Sequence, residues 1–251
     1  MTPSVGDQLL AEVRRTRITI VVGHFGSGKT EIAVNLAYRL RERGEAVTLV
    51  DLDVAKPYFR SRGLIDDLEA CGIQLVAPRD EFAYADLPMV VPEVRAAVGQ
   101  AAAGLRHVII DAGGADIGGR VLGSIPGLDD ESAADVLFVV NGNRPFAETT
   151  EAVVTLLREI ELASRLKVRG LVANTHLMDE TTVQTVREGI DLAESVGRAL
   201  GLPVRFCAVR ANLADALRAQ VGGLPLLPID QHIMPPFSLR RPSVRRRSSV
   251  L

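Results

Sequence analysis

The chain has 251 residues, 47% of them hydrophobic and 24% charged, enough to bury a sizeable core in one α/β domain without a second large one. Two cysteines, Cys71 and Cys207, stand far apart with no CxxC or His-rich companion, which excludes a disulfide framework and a self-contained zinc or iron–sulfur site. The net charge of −2 conceals an acidic body: residues 240–251 carry five arginines and no acid, leaving 24 basic against 31 acidic residues elsewhere, which argues against a sequence-tolerant nucleic-acid binder.

No stretch is apolar for long enough to span a bilayer, and residues 1–16 lack the basic start and apolar run of a signal peptide, so a cytoplasmic protein is expected. The expected division is an N-terminal extension over 1–16, a nucleotide-binding domain over 17–234 and a basic, disordered tail over 235–251. Between the ends, short Val/Ile/Leu runs alternate with longer helical patterns, the rhythm of an α/β fold with a mainly parallel sheet flanked by helices.

In chain order, strands are expected at Ile18–Val22, Ala46–Leu52, Gln74–Ala77, His107–Asp111, Ala134–Asn141, Arg169–Ala173 and Pro203–Val209. Helices are expected at Lys29–Arg43, Leu64–Ala70, Val91–Ala103, Thr149–Ser164, Val183–Leu200 and Leu213–Val221, with Gly44, Gly104 and Gly201 placed to stop three of them.

After the first strand, Gly23-His24-Phe25-Gly26-Ser27-Gly28-Lys29-Thr30 fits the phosphate-loop pattern GxxxxGK[ST] and opens the amphipathic helix expected from Lys29; these residues and the following Glu31 are the expected nucleotide-binding stretch. Glycine at 26 and 28 lets backbone N–H groups converge on phosphate oxygens, the helix N-terminus adds positive potential, Lys29 reaches the β and γ phosphates, and the Thr30 hydroxyl can ligate Mg²⁺. The second strand runs into "VTLVDLDVAKPYFRSR", which by strand alternation places Asp51 and Asp53 on one side. The fourth reads "HVIIDAGG", with Asp111 in the position of a Walker B acid at the magnesium site and Gly113 or Gly114 freeing the next loop. In an open parallel sheet these strand ends share one crevice.

With these three motifs in this order, the sequence resembles the MinD/ParA/CobQ-type P-loop ATPases, which include ATPases of metallocentre assembly. The likeness runs over roughly residues 17–230 and is strongest in the first 115; it includes Thr30–Arg39 and "GLPVRFCAVRANLADAL" from Gly201 to Leu217. It implies a switch role for the DLD segment, with Asp53 orienting the attacking water and Asp51 supporting the metal. It also implies a loop after the last core strand that borders adenine. Members of the deviant Walker A kind carry a signature lysine after the first glycine, which crosses a nucleotide-sandwich dimer; this chain has His24 there and Phe25 where a glycine is usual. His24 is then either a pH-dependent donor or a plain loop residue, and Lys56, Arg60 and Arg62 are either stand-ins for the missing lysine or, the reading favoured for each alone, solvated charges of the switch loop.

Base choice is read at "VANTHL": guanine readers of related folds use [NT]KxD, and Leu177 stands where the Asp would be, which favours ATP. Asn174 is either a contact to the adenine edge or an ordinary strand-end polar residue. In "VVNGNRPF", Asn141, Asn143 and Arg144 are either ligand contacts or a capped turn. His176 and His232 lack metal-ligand spacing and read as structural.

The function expected is a Mg²⁺-dependent ATPase cycling between ATP and ADP as a switch for an unidentified protein partner, with a homodimer in prospect. An ATP-dependent small-molecule kinase or ligase of the dethiobiotin or cobyrinate synthetase type is the alternative, for which Pro78–Arg95 could line a substrate pocket. Membrane or nucleic-acid contact through the tail is a minor expectation, since Pro242 and the sparse apolar residues suit an amphipathic helix poorly.

Overall fold

A computed structural model of the chain describes residues 9, 13, 16–52, 62–77, 87–113, 117–128 and 133–233. Asp53, Lys56, Arg60, Gly114, residues 78–86 and residues 235–251 lie outside the described residues, as does the side chain of Arg62.

Eight strands form one sheet: β1 (Ile18–Gly23), β2 (Val47–Asp51), β3 (Ile73–Val76), β4 (His107–Asp111), β5 (Ala134–Val140), β6 (Gly170–Ala173), β7 (Val204–Arg210) and β8 (Leu226–Ile229). Their order is β3-β2-β4-β1-β5-β6-β7-β8, and every pairing is parallel. Helices α1 (Lys29–Glu42), α2 (Arg62–Ala70), α3 (Leu87–Ala102), α4 (Ile117–Leu122), α5 (Thr150–Ser164), α6 (Val183–Leu200) and α7 (Ala214–Arg218) connect them. This is the expected α/β class.

The central strands are apolar without alternation because both faces are covered. On one face Ile20, Val22, Ile110, Phe138 and Val140 pack with Val94 of α3, Leu157 of α5 and Ile190 of α6. On the other, Val21, Leu49, Ile109 and Val139 pack with Ile32, Leu36 and Leu40 of α1. Leu9 and Val13 are buried in that second cluster, so the stretch before residue 17 contributes to the core.

Four elements depart from the sequence expectations, among them α7, which ends at Arg218 rather than Val221. Strand β8 was not expected, because Pro228 interrupts a four-residue run; β8 is the edge strand beyond β7, where a missing N–H breaks no ladder bond. Helix α4 was also unforeseen, being six residues long with Gly118 and Gly119 inside it. Helix α3 starts at Leu87 rather than Val91, with Pro92 inside it on the exposed side, where water can meet the lost backbone bond.

Helix α6 begins with the Thr182 side chain accepting from Thr185 N and ends at Gly201 in the left-handed conformation (φ 71°). Its Gly189 lies against Thr175, just past β6: a Cβ there would come within 2.2 Å of Thr175 Cβ. Gly189→Ala is therefore expected to cost about 1–3 kcal/mol through overpacking, read as a lowered midpoint in urea unfolding; an unchanged midpoint would refute this contact.

Candidate functional site

In the turn from β1 into α1, the backbone carbonyls of residues 24, 26 and 27 all accept hydrogen bonds, two of them from distant side chains. Arg144 Nε donates to Gly26 O (2.7 Å), Asn174 Nδ2 to Ser27 O (2.7 Å), and both Lys29 Nζ (3.2 Å) and Ser27 N (3.1 Å) to His24 O. Because the peptide is planar and trans, pinning Ser27 O on Asn174 aims the Gly28 N–H the opposite way. Gly28 itself has φ 94°, and a Cβ there would lie 2.3 Å from Asn174 Nδ2, so both the backbone conformation and the neighbour require glycine. Gly26 (φ 75°) faces the Arg144 stem.

Helix α1 has no side-chain cap, whereas Thr149 caps α5 and Thr182 caps α6. Its first-turn N–H groups and the positive end of its dipole are thus left for an anion. Lys29 is 3% exposed. Thr30 is half-buried and Phe25 is exposed. The buried Ser27 Oγ and His24 Nδ1 have no hydrogen-bond partner among the described residues.

The acids stand on the other side of β1. Val21 pairs with Asp111 across β1 and β4, and Asp51 pairs with Asp111 across β4 and β2. By alternation Asp111 shares the face of Ile109, and Asp51 that of Leu49, the face on which α1 packs. Asp111 is 1% exposed and Asp51 half-buried. The backbone reinforces the junction, with Leu52 N donating to Asp111 O (2.8 Å) and Ala112 N to Val21 O (3.1 Å). The loop, Asp51 and Asp111 thus all lie at the carboxyl ends of the interior strands β1, β2 and β4. Among the described residues, no group of three or more His, Cys, Asp or Glu side chains could hold a metal ion. This donor set fits magnesium, which needs only one or two carboxylates alongside nucleotide phosphates.

Past β6, His176 places Nε2 3.6 Å from where a Gly28 Cβ would stand, which brings it into the site although its spacing read as structural. Burial, with Arg144 and Arg210 nearby, pushes its pKa down from 6.5 to about 4. Met178 N donates to its Nδ1 (3.4 Å), which leaves the ring proton on Nε2. Arg210 is held by Asp179 (2.7 Å) and Met178 O (2.9 Å). One N–H of the Asn174 amide is donated to Ser27 O, a contact with the loop that the sequence did not suggest. In the β5 turn Asn141 Oδ1 accepts from Asn143 N (3.1 Å), a capped turn, while Arg144 reaches the loop through its 2.7 Å bond to Gly26 O.

A contact invisible in sequence closes the far end of the loop. The Glu31 carboxylate accepts from His232 N (2.7 Å) and Ile233 N (3.1 Å), and Asn35 exchanges two 3.0 Å bonds with Asp230. His232 stacks on Tyr38 with ring centroids 4.7 Å apart. Burial of the Glu31 carboxyl outweighs its hydrogen bonds and pushes its pKa up to about 7.

The family model described as the CobQ/CobB/MinD/ParA nucleotide binding domain matches residues 18–205. The chain belongs to this family. Solved structures with a similar fold include cell division protein FtsY of Thermotoga maritima (20% identity, TM-score 0.51, covering 76% of this chain and 61% of that one). Chloroplast FtsY of Physcomitrella patens is similar to the same degree (22%, 0.51, 77% and 58%). So is the signal recognition particle receptor FtsY of Elizabethkingia anophelis in complex with GDP (21%, 0.50, 82% and 64%). At these identities the likeness is one of fold, and the chain spans about three-fifths of the length of these proteins. Curated proteins gave no match. No described helix is long and apolar enough to cross a membrane.

A histidine whose folded pKa lies below its unfolded value contributes stability that is present above about pH 6.5 and lost as pH falls through about 4. His176→Gln should flatten that acid limb in pH-dependent denaturation, and the wild-type imidazole should titrate near 4 by NMR; titration at or above 6.5 would contradict the burial described.

Proposed function

We propose that this member of the nucleotide-binding family is a Mg²⁺-dependent ATPase that acts as a nucleotide-controlled switch for a protein partner. The observation that carries this reading is the Ser27–Gly28 peptide fixed by Asn174 at the uncapped start of α1, beside buried Lys29 and on the face shared by Asp51 and Asp111. Backbone N–H groups and Lys29 hold the phosphates, and Thr30, Asp51 and Asp111 hold the ion, which when bound neutralises charge on the β and γ oxygens. Asp53, outside the described residues, is the proposed orienter of the attacking water.

Adenine is the proposed base. The FtsY structure holding GDP keeps guanine in view, but here Leu177 takes the place of a guanine-reading acid and the nearby Asp179 carboxylate is engaged by Arg210. A ligase or kinase reading has no observation of its own among the described residues.

Calorimetry should give tight Mg²⁺–ATP binding to the wild type and weaker Mg²⁺–GTP binding. Lys29→Ala should lose at least about 10- to 100-fold in affinity, the worth of one charge-assisted bond. Asp53→Ala should keep affinity and lose about 100-fold or more of hydrolysis. Guanine preference, turnover that requires a metabolite, or equal hydrolysis by Asp53→Ala would each overturn the corresponding part. Light scattering with Mg²⁺–ADP and, for Asp53→Ala, Mg²⁺–ATP tests the homodimer: a doubled mass with ATP alone supports it, and a constant mass rejects it.

A further inference from the structure

The turn after β5 brings one guanidinium to the phosphate loop from the side opposite the acids. In the strand order β4-β1-β5, Asp111 leaves β4 on one side of β1 and Arg144 follows β5 on the other. Arg144 is half-buried, and its Nε–H lies on Gly26 O at 2.7 Å, with its Nε and Cδ 3.5 and 3.6 Å from where a Gly26 Cβ would stand. A guanidinium has five N–H donors in a fixed planar fork, so one bond to a carbonyl leaves four, oriented by that first contact.

Three features of the surroundings bear on what the remaining donors of Arg144 can meet. The turn is closed without the arginine, by the Asn141 side chain accepting from Asn143 N and by Gly142 N donating to Thr175 Oγ1 (3.0 Å), so Arg144 is not needed to hold its own loop. The Asn141 amide at the end of β5 is 2% exposed, and its Nδ2 donor has no hydrogen-bond partner among the described residues. Lastly, His176 stands close enough for the charges of Arg144 and Arg210 to be felt at its ring, and its proton sits on Nε2, a neutral donor beside Gly28.

We propose that Arg144 is a second phosphate-binding cation of the nucleotide site: its Nε–H braces Gly26 O while its terminal N–H groups bond phosphate oxygens from the β5 side. The proposal rests on the nucleotide-binding reading above. Arginine suits this position because its fork can hold a backbone carbonyl and a phosphate at once, which an ammonium on a flexible stem does poorly. It also makes the site two-sided, with Lys29 rising from the loop itself and Arg144 closing over it from the neighbouring strand.

The test is calorimetry of Mg²⁺–ATP, Mg²⁺–ADP, AMP and pyrophosphate against wild type, Arg144→Gln and Arg144→Lys, with thermal unfolding of each. Wild-type binding of Mg²⁺–ATP is the precondition set by the proposed function; its absence sinks that reading. Given wild-type binding, Arg144→Gln should lose about 10-fold or more for ATP, ADP and pyrophosphate, lose less for AMP, and unfold within a degree or two of wild type. Arg144→Lys should recover only part. The His176 imidazole should titrate at higher pH in Arg144→Gln, because a neighbouring positive charge has gone. Equal affinity of Arg144→Gln and wild type for ATP would overturn the proposal. So would a loss of the same size for AMP with pyrophosphate unaffected, which would place the guanidinium on the nucleoside. A loss accompanied by a matching drop in unfolding temperature, fully restored by Arg144→Lys, would reduce Arg144 to a brace for the loop.

Discussion

The bond from Asn174 Nδ2 to Ser27 O fixes the peptide plane on which the rest of the site depends. A side chain from β6 reaches under β1's loop, past β5, and sets the direction of the Gly28 N–H. That reach is open only because Gly28 has no Cβ, and the left-handed turn at Gly28 in turn starts α1 without a capping side chain. One amide thereby links the carboxyl ends of two non-adjacent strands and leaves the first turn of α1 facing outward with its donors uncommitted to the protein. The same constraint explains why a loop this polar is tolerated against an apolar core: its carbonyls at 24, 26 and 27 all have protein donors.

The sheet order sorts charge across this loop. Beginning from β1, the chain builds β2, β3 and β4 on one side and β5 to β8 on the other, so that the crevice opens where the direction of winding reverses. The acids Asp51 and Asp111 belong to the first half; the Arg144 guanidinium belongs to the second, beside the neutral donor His176 and an Arg210 paired with Asp179. A polyphosphate carrying a metal ion has the same polarity, with the cation to one side and anionic oxygens to the other. In the proposed binding mode, each half of the sheet would meet the part of such a ligand that its charge favours.

Much of this was legible in the sequence because the controlling signals were local. The strand His107–Asp111 and helix Val183–Leu200 have the bounds read from apolar runs and flanking Thr and Gly residues, and the glycine spacing of the loop predicted its strand-to-helix context. The family, and with it the nucleotide-binding domain, followed from three motifs within 115 residues of the start. What sequence did not reveal depends on contacts between distant segments. Asn174, Arg144 and His176 are more than a hundred residues from the loop they touch, and the bonds of 2.7 Å to Gly26 O and Ser27 O are made by backbone acceptors that leave no residue-type signature at the receiving end. His176 lies two residues beyond Asn174, so its place at the same strand end was a signal available in the sequence, masked by testing histidines for metal spacing alone. Strand β8 and helix α4 escaped for a different reason, since Pro228 and paired glycines lower local propensity and only packing restores the element.

The clamp on Glu31 has a consequence for how this molecule could be observed. Residues 230–233 are tied to the first two turns of α1 by Asn35 and Glu31, and Glu31 directly follows Thr30. The backbone at Ile233 is thus leashed to the residue next to Thr30, although some two hundred positions separate them along the chain. A fluorophore attached at 233 would sense the surroundings of the first turns of α1 from a vantage point outside the phosphate cradle, and a cut made before 230 would free the helix from its tether while leaving every loop donor named above in place.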